Sequence, residues 1–202
     1  MVFFRRFIKI KDYISPATLA VVLVAIISGL LLFVPPIHGL ADNGDFYRAL
    51  LSNGLYRLPH PHNQYINYVI PKFGIMKYFN ENNVAVFSSQ AIFIKIAVFF
   101  NKLFYSRNIF DIRFLGLTYY IFYLGAIYLL TKSLVYPYRK ARSYFVALIV
   151  TFVFADSSFT LYFNSFFAEP GMLIAMLYAF GALMAIGRHC YTKNGLCYLY
   201  IS

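Results

Sequence analysis

Long uncharged runs alternate along this chain with shorter polar stretches. Ala17 to Val34 is 18 residues without a formal charge. Ser15-Pro16 before it reads as an N-cap followed by proline at the first helical position. Pro35-Pro36 ends the run, because proline lacks the N–H and clashes with the preceding turn. Phe114 to Thr131 and Pro170 to Gly187 are two further uncharged runs of 18 residues. Between Arg142 and Pro170 the pattern is less tidy. Ser143 to Ala155 is uncharged, Asp156 interrupts, and the aromatic run Phe159 to Phe167 follows. A membrane helix needs about 20 mostly apolar residues. The runs therefore predict spans over about 17–34, 114–131, 144–160 and 170–187, with Asp156 near one end of the third.

A fifth apolar stretch, Val84 to Phe100, contains Ser88, Ser89, Gln90 and Lys95. Ser88, Lys95 and Lys102 recur every seven residues and share one helix face. That pattern predicts an interfacial amphipathic or re-entrant helix rather than a span.

Composition agrees with a membrane protein. Of 202 residues, 61% are hydrophobic and 12% charged, and the mean hydropathy is +0.65. Globular domains carry roughly 25% charged residues. An ordinary soluble domain is excluded, and so is a disordered chain, which needs low hydrophobicity. Two cysteines, Cys190 and Cys197, exclude a disulfide framework and a four-cysteine zinc site. The fold class expected is an all-α integral membrane protein. It has four transmembrane helices in a single membrane domain, 1–202, and a long first extracytoplasmic loop, about 35–113, with interfacial amphipathic helices.

The net charge of +11 reads as topology. Arg5, Arg6, Lys9 and Lys11 precede the first span, which puts the N-terminus in the cytoplasm. Four spans put the loop with Lys132, Arg139, Lys140 and Arg142 and the tail with Arg188 and Lys193 on the same side. Counting Val84–Phe100 as a span would move the 139–142 cluster outside, against the rule. The protein is thus expected in the cell membrane, multi-pass, with both termini cytoplasmic. A cleaved signal peptide is disfavoured: the first apolar core is too long, and Pro35-Pro36-Ile37-His38 is a poor cleavage site. Basic residues split across a membrane also argue against nucleic acid as a partner.

Acids gather at the outer side: Asp42, Asp45, Glu81, Asp111, Asp156 and Glu169, against Asp12 alone in the cytoplasm. Either acids tolerate both sides, or carboxylates collect where chemistry happens. Asn43-Gly44 is a turn dipeptide. A helix starts at Asp45, since Phe46, Ala49 and Leu50 form an apolar i, i+3, i+4 face and Gly54 fits the stop. Asp45 is then an N-cap, a general base, or both. Asp42 lies close enough to influence it. Asp156 is either a carboxylate reaching interfacial water or a functional group at the boundary. Glu169-Pro170 opens the last span, where an acid suits the helix dipole. His60-Pro61-His62 reads as a solvated loop rather than a metal site. Tyr56, Tyr65, Tyr68 and Tyr78 with Phe73 and Phe79 read mostly as interface-belt aromatics, with sugar stacking as the second reading. The basic residues of the segment meet lipid headgroups or hold a phosphate.

Three segments together resemble a known family. They are Ala41-Asp42-Asn43-Gly44-Asp45-Phe46-Tyr47-Arg48 in the first outer loop, Phe110-Asp111-Ile112-Arg113-Phe114-Leu115-Gly116 before the second span, and Leu161-Tyr162-Phe163-Asn164-Ser165-Phe166-Phe167-Ala168-Glu169-Pro170 in the second outer loop. The chain, from about Ala20 to Gly187, resembles the amino-terminal part of bacterial polytopic glycosyltransferases of the GT-C architecture. It is most similar to glycan-biosynthesis hexose transferases of the WsfD type. The resemblance implies transfer of a hexose from a polyprenyl-phosphate-linked donor to a cell-surface glycan or lipid acceptor on the outer face. It implies Asp45, then Asp42, as base or site organiser, with Asp156, Asn164 and Glu169 lining the same cleft. Such enzymes usually have eight or more spans, and a new apolar run starts at Tyr198. The departure points to an incomplete GT-C module: a truncated product, a fragment, or one half of a split gene, in which last case a second chain would supply the missing helices.

The chemistry suits these residues. An inverting transfer needs a base for the acceptor hydroxyl, and the leaving lipid phosphate needs cations. Arg48 is one turn from Asp45, and Lys72 and Arg113 are further candidates, with Lys77 and Arg107 beside them. No cofactor is expected. A divalent metal between Asp42 and Asp45 is allowed by the residue types but not indicated. No Walker loop or Rossmann glycine pattern is present, so a soluble nucleotide-sugar donor is not suggested. The rival readings are a non-catalytic membrane subunit or scaffold, and a small transporter. Clean uncharged spans count against the transporter.

Overall fold

The computed structural model describes residues 14–42, 44–59, 69–78, 83, 84, 86, 88–136 and 140–193. The N-terminal basic cluster, Asn43, His60, His62, Tyr65, Tyr68, Phe79, Glu81, Arg139, Cys197 and the run from Tyr198 lie outside the described residues, as do the side chains of Lys140, Arg188, Cys190 and Lys193.

Helix α1, Pro16–Phe33, begins as expected: Ser15 Oγ accepts from the Thr18 N–H, with proline at the first helical position. Its end shows why the two prolines matter. Pro35 and Pro36 cannot donate to the carbonyls of Leu31 and Leu32. His38 N–H takes Leu31 O, and the Asn164 side chain takes Leu32 O.

Short helix α2, Phe46–Ser52, stops at Asn53, with Gly54 at φ +72° in the left-handed region. Three strands follow, β1 Leu55–Arg57, β2 Lys72–Ile75 and β3 Ile109–Asp111, and they form an antiparallel sheet in the order β1-β2-β3. Phe73 stands opposite Arg57 on one side and Phe110 on the other. This sheet was not expected within a helical protein. Its strands are three or four residues long, too short to show a periodicity of two.

Helix α3, Gln90–Phe104, occupies the stretch expected to be amphipathic. Gln90, Ile94, Ala97 and Asn101 face inward, while Ile92, Phe99, Leu103 and Phe104 face outward. Helix α4, Ile112–Val135, is central: Leu115, Tyr119, Tyr123, Ala126 and Ile127 are fully buried on it.

The third expected span, about 144–160, falls on a bent pair of helices. Helix α5, Lys140–Phe154, ends before Asp156. A four-residue helix α6, Ser157–Thr160, and a 3-10 turn, Leu161–Asn164, then turn away by 53°. Asp156 caps α6 and so starts a new element rather than ending the old one. Helix α7, Glu169–Lys193, completes the bundle. Among the described residues three helices are long and apolar enough to cross a membrane, or up to four if the bent pair counts as one span. The protein is a mostly helical, multi-pass membrane protein.

Contacts fix the helix directions. Tyr120 Oη donates to Ala25 O, and its ring meets Phe33 edge-on, so the end of α1 lies beside the start of α4. Tyr123 Oη donates to Phe154 O, which brings the end of α5 to the same level. At the other end Ser133 Oγ donates to Gly181 O and Tyr144 Oη to Ile14 O. The four long helices thus alternate in direction. α2, the sheet and Glu169 share one end; Lys132 and Arg142 share the other.

Candidate functional site

Aromatic packing builds the site at the first of these ends. Phe163, Phe166 and Phe167 come from the segment after the 53° bend. The Phe163 ring meets Tyr119 and Tyr123 of α4, at centroid distances of 5.9 and 5.1 Å. Phe166 meets Phe46, Phe73 and Phe110. Phe167 meets Phe46 edge-on at 4.8 Å. Edge-to-face pairs of this kind add roughly 0.5–1.5 kcal/mol each beyond area burial. Phe46 follows Asp45 directly, and Phe167 lies two residues before Glu169. The same contacts that seal the core therefore bring these two carboxylates to one place.

Gln90 brings the third wall. It is 5% exposed, and its Nε2 donates to Phe167 O at 2.8 Å. This pins the start of α3 against the 165–169 segment. The result is a cleft of about 270 Å³ lined by Asp45, Arg48, Ser52, Gln90, Phe167 and Glu169, among others. Arg48 projects from the exposed side of α2 one turn after Asp45. Glu169 also edges a second, more apolar groove of about 320 Å³, formed with Phe159, Tyr162, Pro170, Leu173 and Met176. It therefore stands between a polar cleft and a groove that runs along the outer surface of α7.

The remaining expected site residues lie elsewhere. Asp42, rather than the expected N-cap Asp45, accepts the backbone N–H groups at the start of α2. Its Oδ1 accepts from the N–H groups of Gly44 and Phe46, and its Oδ2 pairs with Arg57. The Asp45 side chain makes no capping bond to α2. Asn164 is 1% exposed, and its Nδ2 donates to Leu32 O and His38 O. It holds the proline-broken end of α1 and does not line the cleft. Arg113 clasps Asp111 through Nε and Nη2 at 3.0 and 2.7 Å, and Asp111 also caps α4. Lys72 opens β2 on the exposed side, opposite Asp111 in register. Asp156 is exposed; the Ser158 N–H, then the hydroxyls of Ser158 and Ser157, hold its carboxyl below the usual range. Asp45, Arg48 and Glu169 are thus brought together, and Asp42, Lys72, Arg113, Asp156 and Asn164 are not among the lining residues.

Gln90, Asp111 and Asn101 carry more of the site's architecture than their sequence context indicated. Asn101 is fully buried; its Nδ2 donates to Ser106 O and Ile109 O, and its Oδ1 accepts from the Asp111 N–H. Polar residues spaced along the buried face of an otherwise apolar helix, Gln90 and Asn101, were the available signal. Among the described residues no group of three His, Cys, Asp or Glu side chains comes together.

No curated protein and no solved structure matches the chain. A family model does, across residues 5–202. That match takes in all the helices of the bundle, the sheet and the cleft, and by it the chain belongs to the YfdI N-terminal transmembrane domain family.

Proposed function

We propose that this chain is a membrane glycosyltransferase module. It passes a hexose from a polyprenyl-phosphate-linked donor to a cell-surface glycan or lipid acceptor on the outer face of the cell membrane. The family is that of a transmembrane domain, and the three motifs resemble GT-C enzymes. The narrower likeness to WsfD-type hexose transferases belongs to the proposal and rests on the same motifs. Both termini are cytoplasmic in this reading, by the basic residues at one end of the bundle.

One observation carries the reading. Asp45, Arg48 and Glu169, far apart in the chain, line one cleft, and Glu169 also borders an apolar groove on the outside of α7. A lipid-linked sugar needs that combination: a polar place for sugar and phosphate, joined to an apolar path for the chain. Asp45 acts as the base. The acceptor hydroxyl loses its proton to the carboxylate while its oxygen attacks the anomeric carbon. The bond from that carbon to the phosphate oxygen breaks, and Arg48 meets the charge left on the phosphate. Asp42 is unsuited to this role, because its oxygens already hold two backbone N–H groups and Arg57. Glu169 orients sugar hydroxyls at the mouth of the groove. Catalysis needs no resident metal in this scheme.

The test is Asp45→Asn in membranes supplied with a polyprenyl-phosphate hexose and acceptor. General base catalysis is worth about 10²–10⁴-fold, so transfer falls by that order while the protein inserts and folds normally. Unchanged transfer by the folded variant overturns the assignment.

A further inference from the structure

A second site lies away from the Asp45 cleft, where α3 meets the sheet. Lys77, Lys102 and Arg107, with Tyr56 and Asn108, line an open cleft of about 820 Å³. Among the described residues no acidic side chain lines it, and none of the three cations forms an ion pair. The cations come from three different elements. Lys77 follows β2, Lys102 sits in the last turn of α3, and Arg107 lies in the turn between α3 and β3.

The backbone beneath them is rigidly built. Asn101 fastens the 105–111 turn through Ser106 O, Ile109 O and the Asp111 N–H. Ser106 Oγ accepts from the N–H groups of Asn108 and Ile109. On the other wall, Ile75 N–H donates to Asn108 O, and Met76 N–H to Gly54 O. The turn carrying Arg107 and the strand end carrying Lys77 are thus hydrogen-bonded to each other. On such a frame the backbone needs no further ordering when an anion enters, and only the side chains must settle.

The surroundings identify the anion. Lys102 is flanked by Leu103 and Phe104, which are 62% and 73% exposed, with Phe99 at 63% on the same outer side. An exposed aromatic and aliphatic face beside clustered Lys and Arg is the pattern of a helix lying against lipid with its charges at headgroup level. A soluble phosphate has no use for the apolar side.

The geometry points to a binding site for the phosphate of an anionic phospholipid, held by Lys77, Lys102 and Arg107, with its acyl chains along the Phe99–Leu103–Phe104 face of α3. The site is independent of the chemistry proposed at Asp45. It seats the outer end of the protein on the membrane surface.

The test uses the full chain in nanodiscs of phosphatidylcholine with trace spin-labelled phosphatidylglycerol. Each Lys or Arg near a charged lipid is worth roughly 1 kcal/mol, about fivefold in affinity. Lys102→Ser therefore lowers the relative association of phosphatidylglycerol about fivefold. The triple variant Lys77→Ser, Lys102→Ser, Arg107→Ser lowers it much further, leaving only the selectivity of the basic residues at the other end of the bundle. A control triple, Lys95→Ser, Lys132→Ser, Arg142→Ser, removes the same charge and leaves most of the selectivity in place. Equal loss in both triples would show net charge at work and overturn the site. Competition by millimolar inorganic phosphate alone, equal to that of added phosphatidylglycerol, would show a soluble-anion site and also overturn it. Selective retention of polyprenyl phosphate over phosphatidylglycerol would reassign the ligand and overturn the phospholipid assignment.

Discussion

Gly116→Ala offers a sharp test of how the bend is held against the bundle. Alanine in a helix interior is normally better than glycine by about 1 kcal/mol, so a helix considered alone predicts stabilisation. The packing predicts the opposite. A Cβ at Gly116 would overlap the Asn164 carboxamide Oδ1, with Asn164 Cγ only 3.3 Å away. That carboxamide cannot simply swing aside, because its Nδ2 satisfies Leu32 O at 3.0 Å and His38 O at 2.8 Å. Leu32 O has no helical donor, since residue 36 is proline. Overpacking a tight core costs about 1–3 kcal/mol, and each of two hydrogen bonds broken to make room adds about 0.5–1.5 kcal/mol. Less the gain in helix propensity, Gly116→Ala should therefore destabilise by about 1–5 kcal/mol. The chain has no tryptophan, so unfolding is best followed by far-ultraviolet circular dichroism during SDS titration of mixed micelles. The decisive comparison is a double-mutant cycle. In an Asn164→Ala background the overlap is gone, and Gly116→Ala should cost close to nothing or stabilise slightly. Equal cost in both backgrounds, or stabilisation of the parent chain, would refute the proposed packing of Asn164 between α1 and α4.

Two further predictions concern the frame and the topology. Asn101→Ala strips partners from two carbonyls and one N–H; it should cost about 2–4 kcal/mol and speed amide exchange at Asp111, whereas unchanged protection there would contradict its role. With Cys190 and Cys197 replaced by serine, Tyr47→Cys should react with an impermeant maleimide in intact cells and Arg142→Cys only after permeabilisation; the reverse pattern would contradict a cytoplasmic N-terminus.

Much of the bundle was legible in sequence because its signals are local. Uncharged runs mark α1, α4 and α7, and a proline at each end of α1 and at the start of α7 marks their limits. The bend after α5 was not legible, because hydropathy continues through Phe159 to Phe167 while the backbone turns at Asp156. Apolar composition does not separate a straight span from a bent one. The sheet was missed because its strands are brief and held mainly by tertiary contacts such as Phe73 on Phe166. At the site, residue types singled out Asp45, Arg48 and Glu169, which line one cleft, but could not distinguish a carboxylate lining a cleft from one holding a turn. Asp42 and Asp45 are three residues apart, and only the fold shows that Asp42 builds the turn. Asn164 looked like a sugar ligand because its partners, Leu32 and His38, lie more than a hundred residues away.

The central claim is that a lipid-linked sugar bridges the polar cleft and the apolar groove at Glu169. A photoreactive polyprenyl-phosphate hexose, activated in membranes holding the protein and digested for mass spectrometry, tests it most directly. A probe with its reactive group on the sugar should label residues 45–52, and one with it near the head of the prenyl chain should label residues 158–176. Both labels should be displaced by unmodified polyprenyl-phosphate hexose. Labelling confined to other surfaces, or label that the natural lipid cannot displace, would contradict the account.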